Sequence, residues 1–318
     1  MDLLGFTLLY MGLVGACLFA MLFGELRIFR GTPIAKLQWF ITGGFCDYLW
    51  WAVEGTCGKS GKRSLAKVED VCCNRPNPVL QVLYVALLLA AYYLYSRDIF
   101  SLLPLPYAPS WHRYTGTAAV GACLLSFYTT SVSDPGAVDA DNLGAHLAIY
   151  DYDDVTSFQK DCWTCMQQRP ARSKHCPVCN RCIARFDHHC AWVNNCIGLF
   201  NLRWFLAFLL ANILLCTYAV VLACTVFYGE MHRHHVWNLV MLDYNTGSLI
   251  ALKDSPRRIA QWLVTHYTVA VTLTAFLAIA ALLVGSFLGY HMHLVPTGTE
   301  GTQAHHITNL VAFLSLTL

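Results

Sequence analysis

Ten side chains able to bind metal or act as nucleophiles crowd into residues 162–196. They are Cys162, Cys165, Cys176, Cys179, Cys182, Cys190 and Cys196, with His175, His188 and His189. Cys-x2-Cys pairs with interleaved histidine form a spacing that tetrahedral zinc uses, because two thiolates on one tight turn reach the same ion. Two structural zinc sites consume eight ligands, which leaves one histidine and one cysteine over. The run Asp187-His188-His189-Cys190 puts a carboxylate beside that surplus. A thiol, an imidazole and a carboxylate are the parts of an activated nucleophile with its base and orienting group. The ligand count alone does not say which histidine is spare.

The chain around this segment is apolar. Of its 318 residues 56% are hydrophobic and 13% are charged, and the mean hydropathy is positive. That composition indicates an integral membrane protein. A net charge of +2 gives no footprint for nucleic acid. Fifteen cysteines admit two readings, a secreted disulfide scaffold or metal binding and catalysis in a reducing compartment. The Cys-x2-Cys spacing within so apolar a chain favours the second.

The expected architecture is an α-helical polytopic bundle of about five transmembrane helices, with a zinc-binding cysteine-rich domain between spans 3 and 4. Residues 1–133 form an N-terminal membrane region with spans at about 3–23, 78–95 and 115–132 and a loop over 24–77. The run at 3–23 lacks the positive n-region and the small-residue cleavage site of a signal peptide, so it reads as a retained span. Within the loop, 34–53 reads as lying along the membrane surface, with Trp39, Trp50 and Trp51 at headgroup depth. Cys57 and the pair Cys72-Cys73 stand near the next span, either as sites of S-acylation or as free loop thiols.

Residues 134–202 are the cysteine-rich domain and 203–290 a second membrane region with spans at 205–228 and 263–290. A short tail covers 291–318. Gly285-x3-Gly289 allows close helix packing, and the histidines at 232, 234 and 235 read as a solvated loop. Segments 27–77 and 134–203 carry eight and seven Lys or Arg, whereas 97–114 and 229–262 carry two and four. The positive-inside rule therefore puts the loop, the cysteine-rich domain and the tail in the cytosol.

The motif extends well beyond its central four residues. Arg169-Pro170-x-Arg172-x2-His175-Cys176 precedes them and Cys190-x-Trp192-Val193-x-Asn195-Cys196-x-Gly198-x2-Asn201-x3-Phe205 follows, with Asp134-Pro135-Gly136 just past the third span. In these residues the chain resembles the DHHC-type protein S-acyltransferases, or palmitoyltransferases, membrane enzymes that attach long acyl chains to protein cysteines. The resemblance implies one structural Zn2+ held by Cys162, Cys165, His175 and Cys182, and a second held by Cys176, Cys179, His189 and Cys196. It makes His188 the spare histidine, with Cys190 as nucleophile, His188 as base and Asp187 as its orienter. It implies acyl-CoA, palmitoyl-CoA above all, as co-substrate, and points to Arg169, Arg172 and Lys174 as contacts for the CoA phosphates. Ordinary positive-inside charge is the plainer account of those three.

The partners so implied are membrane lipids and membrane-associated proteins with cytosolic cysteines, and the location an endomembrane, ER or Golgi, or the plasma membrane. A catalytically weak or inactive adaptor using the zinc module for protein binding is the competing expectation. One departure stands out. The family's Thr-Thr-x-Glu, whose second threonine supports the catalytic aspartate, is matched here by Thr297-Gly298-Thr299-Glu300. That leaves Thr297 and Thr299 as candidates for the supporting hydroxyl.

Overall fold

A computed structural model describes residues 29–73, 75–153, 157–242, 247 and 249–297, with scattered single positions before residue 29. Helix α1 (Pro33–Trp39) leads through a π-turn, Phe40–Gly44, into α2 (Phe45–Cys73), which kinks at Gly58, φ 60°. Then come α3 (Val79–Asp98) and α4 (His112–Val132). The polar stretch that follows holds β1 (Ala137–Val138), α5 (Leu143–Leu147), β2 (Asp161–Cys162), β3 (Gln167–Gln168), β4 (Lys174–Cys176), β5 (Arg181–Ile183), β6 (His188–Cys190) and β7 (Asn195–Ile197). Helix α6 (Leu202–Arg233), the hairpin β8 (Val240–Leu242) and β9 (Leu249–Ala251), α7 (Pro256–His266) and α8 (Thr268–Thr297) complete the described chain.

Three helical segments among the described residues are long and apolar enough to cross a membrane: Val79–Leu102, Leu202–Arg233 and Thr268–His293. Helix α4, with 21 residues, is long enough but less apolar. Three of its hydroxyls bond back along the helix, Ser126 Oγ donating to the Cys123 carbonyl and Thr129 and Thr130 to that of Ser126. Most of the expected span at 3–23 falls outside the described residues, though the positions described there, among them Gly12, Leu13 and Gly15 to Cys17, are helical, and 298–318 lie wholly outside. Residues 24–77, expected as a loop, are helical from Pro33 to Cys73 apart from the π-turn, with Trp39 and Trp51 exposed. The last span starts at Thr268, because the chain breaks at Tyr267 between α7 and α8. Gly285 and Gly289 are not packing contacts: a methyl group added at either meets no described atom within 4 Å.

The chain divides into two compact units, and α3, α4, α6 and α8 each contribute to both. One unit comprises residues 1–69, 91–113 and 218–279. Its core gathers Tyr95, Ile99, Phe100, Leu103, Leu222, Val226, Phe227 and Leu273. The Tyr95 hydroxyl donates to the Ala219 carbonyl at 2.7 Å. Fully buried Glu230 accepts from the Tyr267 hydroxyl and from Arg233 at 2.7 and 2.8 Å, so its charge is compensated.

The other unit, 70–90, 114–217 and 280–318, carries the cysteine-rich segment. That segment has too little regular structure to build a core; its strands are two or three residues long and pair in small antiparallel sheets, β1-β5-β4, β2-β3 and β6-β7. It is seated on helix ends by the motif residues. Asp134 Oδ1 accepts from the Gly136 and Ala137 amides, both at 3.0 Å, closing a turn after α4 that needs Gly136 at φ 95°. The Gly136 carbonyl then accepts from the Ala184 amide, and β1 pairs with β5. Asn195 Nδ2 donates to the Thr130 and Ser133 carbonyls at 3.2 and 2.8 Å, satisfying groups that the end of α4 leaves open. Near the start of α3, Gln81 donates to the Val193 carbonyl and the Asn77 amide to Asn194 Oδ1. Asn201 bridges the Cys196 carbonyl and the Gly198 amide ahead of α6.

Candidate active site and metal centres

Two clusters of four ligand atoms form in the cysteine-rich segment, Cys162–Cys165–His175–Cys182 and Cys176–Cys179–His189–Cys196. Each Cys-x2-Cys turn aims a backbone amide at its first sulfur, Cys165 at Cys162 Sγ and Cys179 at Cys176 Sγ. Met166 and Asn180, directly after the second cysteines, take the left-handed conformation that ends each turn. In the first cluster His175 Nδ1 lies 3.6 and 3.3 Å from Cys162 and Cys165 Sγ, and Cys165 Sγ lies 3.9 Å from Cys182 Sγ. In the second, His189 Nδ1 lies 3.9, 3.4 and 3.6 Å from Cys176, Cys179 and Cys196 Sγ. Ligands at about 2.0–2.3 Å from a tetrahedral ion stand roughly 3.5–3.8 Å apart, so both donor sets fit zinc. Three sulfurs and one nitrogen fill four positions, the closed arrangement of a structural site.

Strand β6 divides its side chains between two tasks. Paired to β7 through His189 opposite Cys196 and Cys190 opposite Asn195, it alternates faces. His189 goes to the metal cluster, whereas His188 and Cys190 share the other face. Asp187, its amide donating to the Ile197 carbonyl, sets its Oδ2 3.0 Å from His188 Nδ1. Cys190 is 9% exposed and packs with Phe127, Val193, Ile197, Phe205, Phe208 and Leu209. Tyr84 and Val85 of α3 and Val284 and Leu288 of α8 lie against the same cluster.

Burial works against charge on His188, yet its contacts with Asp187 and Cys190 prevail and lift its pKa to about 9. Burial likewise opposes the Cys190 thiolate. The imidazolium of His188 and the amides of Val193 and Trp192 overcome it and hold the thiol below its ordinary value. Both shifts favour the thiolate–imidazolium form of the pair, with Asp187 beside the imidazole.

Of the proposed CoA contacts, Arg169 Nη2 donates to the Ser173 carbonyl and the Arg172 guanidinium lies 5.4 Å from the centre of the Tyr150 ring. Lys174 sits half-buried in β4. None of the three belongs to the cluster around Cys190. Trp192 is 46% exposed, whereas Phe205 is 1% exposed and faces the His188 ring edge-on at 5.2 Å.

One residue of the site escaped the sequence reading. His291, on α8, brings its Nδ1 within 3.6 Å of Asp187 Oδ2. A lone histidine in an apolar helix carries no spacing signal, so only the packing of α8 reveals it.

A cysteine with imidazole and carboxylate partners, seated among apolar helices beside two Cys3His clusters, has the parts of a membrane-bound acyl-transfer site. The chain belongs to the DHHC palmitoyltransferase family, whose model matches residues 155–309. Palmitoyltransferase SWF1 of Neurospora crassa is 32% identical over 300 residues, 90% of this chain and 67% of its own. Palmitoyltransferase swf1 of Schizosaccharomyces pombe is 28% identical over 98% of this chain and 82% of its own. Palmitoyltransferase ZDHHC4 of Bos taurus is 32% identical over 93% of this chain and 82% of its own.

Proposed function

We propose that this protein S-acyltransferase works through an acyl-Cys190 intermediate, with His188 as the proton carrier and Asp187 as its orienter. The observation that carries the reading is the 3.0 Å contact of His188 with Asp187, next to a thiol buried against apolar helices. His188 takes the Cys190 proton, and the thiolate attacks the thioester carbon of acyl-CoA. A carbon–sulfur bond forms to Cys190 while the bond to the CoA sulfur breaks, and CoA leaves with the proton from His188. A substrate cysteine then gives its proton to His188 and attacks the acyl carbon, releasing Cys190 as the thiolate. One thioester replaces another, so the exchange needs no further energy source.

The acyl chain is best accommodated among the residues around Cys190, since each exposed methylene costs about 0.8 kcal/mol. The two clusters would hold Zn2+ as structural ions: Cys162, Cys165, His175 and Cys182 for one, Cys176, Cys179, His189 and Cys196 for the other. When bound, each ion links a short, polar stretch that has little core of its own. Arg169, Arg172 and Lys174 are proposed to meet the CoA phosphates from outside the apolar cluster.

The excess of Lys and Arg in 27–77 and 134–203 supports a cytosolic cysteine-rich domain. Membrane-associated proteins with cytosolic cysteines are then the substrates, on an endomembrane or the plasma membrane. A bundle of five spans, with the cysteine-rich domain between the third and fourth, adds 3–23 and α4 to the three apolar helices.

The test uses purified protein in detergent with a clickable palmitoyl-CoA, comparing hydroxylamine-sensitive label on the wild type and Cys190→Ser. Label lost in the variant supports the reading. Equal label on both assigns the acyl group to another cysteine, and no label on either, with metal retained, favours an adaptor.

A further inference from the structure

We infer that His291 is a positioning residue that holds Asp187 for catalysis, an inference that rests on the proposed roles of Asp187, His188 and Cys190. The imidazole of His291 is 4% exposed. Phe287 and Phe205 meet it edge-on, with ring centres 4.6 and 5.4 Å away, and the His188 ring lies at 5.9 Å. Two phenyl rings nearly perpendicular to the imidazole leave it little room to turn. In this setting Nδ1 faces Asp187 Oδ2 at 3.6 Å, the same oxygen that His188 engages at 3.0 Å.

The tautomer follows from what each nitrogen meets. A bare lone pair at Nδ1 would face a carboxylate oxygen and be repelled, so Nδ1 carries the hydrogen. Nε2 is buried without a hydrogen-bond partner among the described residues. A buried N–H with no acceptor costs more than a buried lone pair on a neutral ring. His291 is thus a neutral donor directed at Asp187, and the aspartate keeps its negative charge for His188. At 3.6 Å the contact is beyond hydrogen-bond length, so donation requires it to close by several tenths of an ångström, as catalytic contacts in unliganded sites often do when substrate binds. His291 supplies from α8 a donor to the carboxylate, in a chain where glycine occupies position 298 of the Thr297-Gly298-Thr299-Glu300 run.

The experiment measures autoacylation by palmitoyl-CoA in the full-length protein for His291→Asn, His291→Gln and His291→Phe, with Cys190→Ser as the blank and bound zinc determined for each. Asparagine offers an N–H close to the position of Nδ1, glutamine offers one close to Nε2, and phenylalanine fills the volume without a donor. The expected result is a loss of about tenfold or more for Phe and Gln, near-native rate for Asn, and unchanged zinc and palmitoyl-CoA concentration dependence. A wild-type rate in His291→Phe overturns the inference. So does a rate in His291→Asn as low as in His291→Phe with zinc retained, since packing alone then accounts for the residue. If His291→Phe loses zinc, the Asn and Gln variants decide: Asn faster than Gln sustains the inference and equal rates overturn it. Label surviving in Cys190→Ser would instead remove the catalytic assignment on which the inference stands.

Discussion

Replacing Asp187 by asparagine removes one charge while keeping shape, and the structure sets the size of the effect. His188 rises from 6.5 to about 9 although burial pulls it down, so its partners supply more than the net rise. At about 1.36 kcal/mol per tenfold change that net rise is worth roughly 3.4 kcal/mol. The hydrogen bond to Asp187 leads the contacts that raise it, and Asp187 and Cys190 each add a charge contribution. If half of the rise belongs to Asp187, its charge contributes about 1.7 kcal/mol, a factor of roughly twenty in the thiolate–imidazolium pair. Autoacylation of Asp187→Asn at neutral pH and subsaturating palmitoyl-CoA should therefore fall, by up to about twentyfold from the loss of the ion pair. Neither metal cluster includes Asp187, and the one that takes a ligand from β6 takes it from the opposite face, so bound zinc should be unchanged. The assay is the initial rate of hydroxylamine-sensitive labelling against a Cys190→Ser blank, with zinc determined on the same samples. A rate within about twofold of wild type, with zinc unchanged, would refute the ion-pair reasoning.

Three further outcomes follow from the geometry. The Cys190 thiol is held below its ordinary pKa, so its thiolate persists to lower pH than a free thiol's and is lost only as pH falls through the lowered value, while His188 loses its proton as pH rises through about 9. Autoacylation should stay high near neutrality and decline on the alkaline side near pH 9; a rate climbing steadily through that pH contradicts the pair. Cys165→Ser or Cys179→Ser should each lose one zinc and open the segment to trypsin, since apparent affinities of about 10–16 kcal/mol at structural sites are folding energy; protease resistance equal to wild type would count against both clusters. Gly198→Ala should lower the aggregation midpoint in detergent. A methyl there meets the Pro135 carbonyl, Ile183 Cγ2 at 2.7 Å and the Ala184 carbonyl at 2.9 Å, an overpacking worth about 1–3 kcal/mol. An unaltered midpoint contradicts this contact.

The chemistry was legible where it is local. The Cys-x2-Cys turns and the Asp187-His188-His189-Cys190 run stand out by backbone spacing alone, whereas the division of the ligands into two sets, with His188 left over, rested on the resemblance to the DHHC family. What the sequence hid is contact between distant segments. His291 reads as one histidine in an apolar helix until α8 packs against the Cys190 cluster. Gly285-x3-Gly289 matches a packing pattern, yet no described neighbour approaches it, because such a stripe acts only where a second helix meets it. Trp192 lies in the motif but stays largely exposed, whereas Phe205 is enclosed by rings from α8. The roles of Asn195 and Asn201, holding carbonyls at helix ends, likewise appear only once those ends are brought to the segment.

The three residues of β6 give the order of letters in Asp187-His188-His189-Cys190 a meaning of handedness. A strand sorts its side chains by parity, odd positions to one side and even to the other. Inserting one residue between His188 and His189 would not merely lengthen a loop. It would exchange the addresses of metal ligand and nucleophile, aiming the histidine meant for zinc at the substrate and the thiol at the ion. On the proposed assignment, loss of metal from the second cluster would reach the reaction as an error of register and not as a missing Lewis acid, the bound ion serving as the clamp that keeps count.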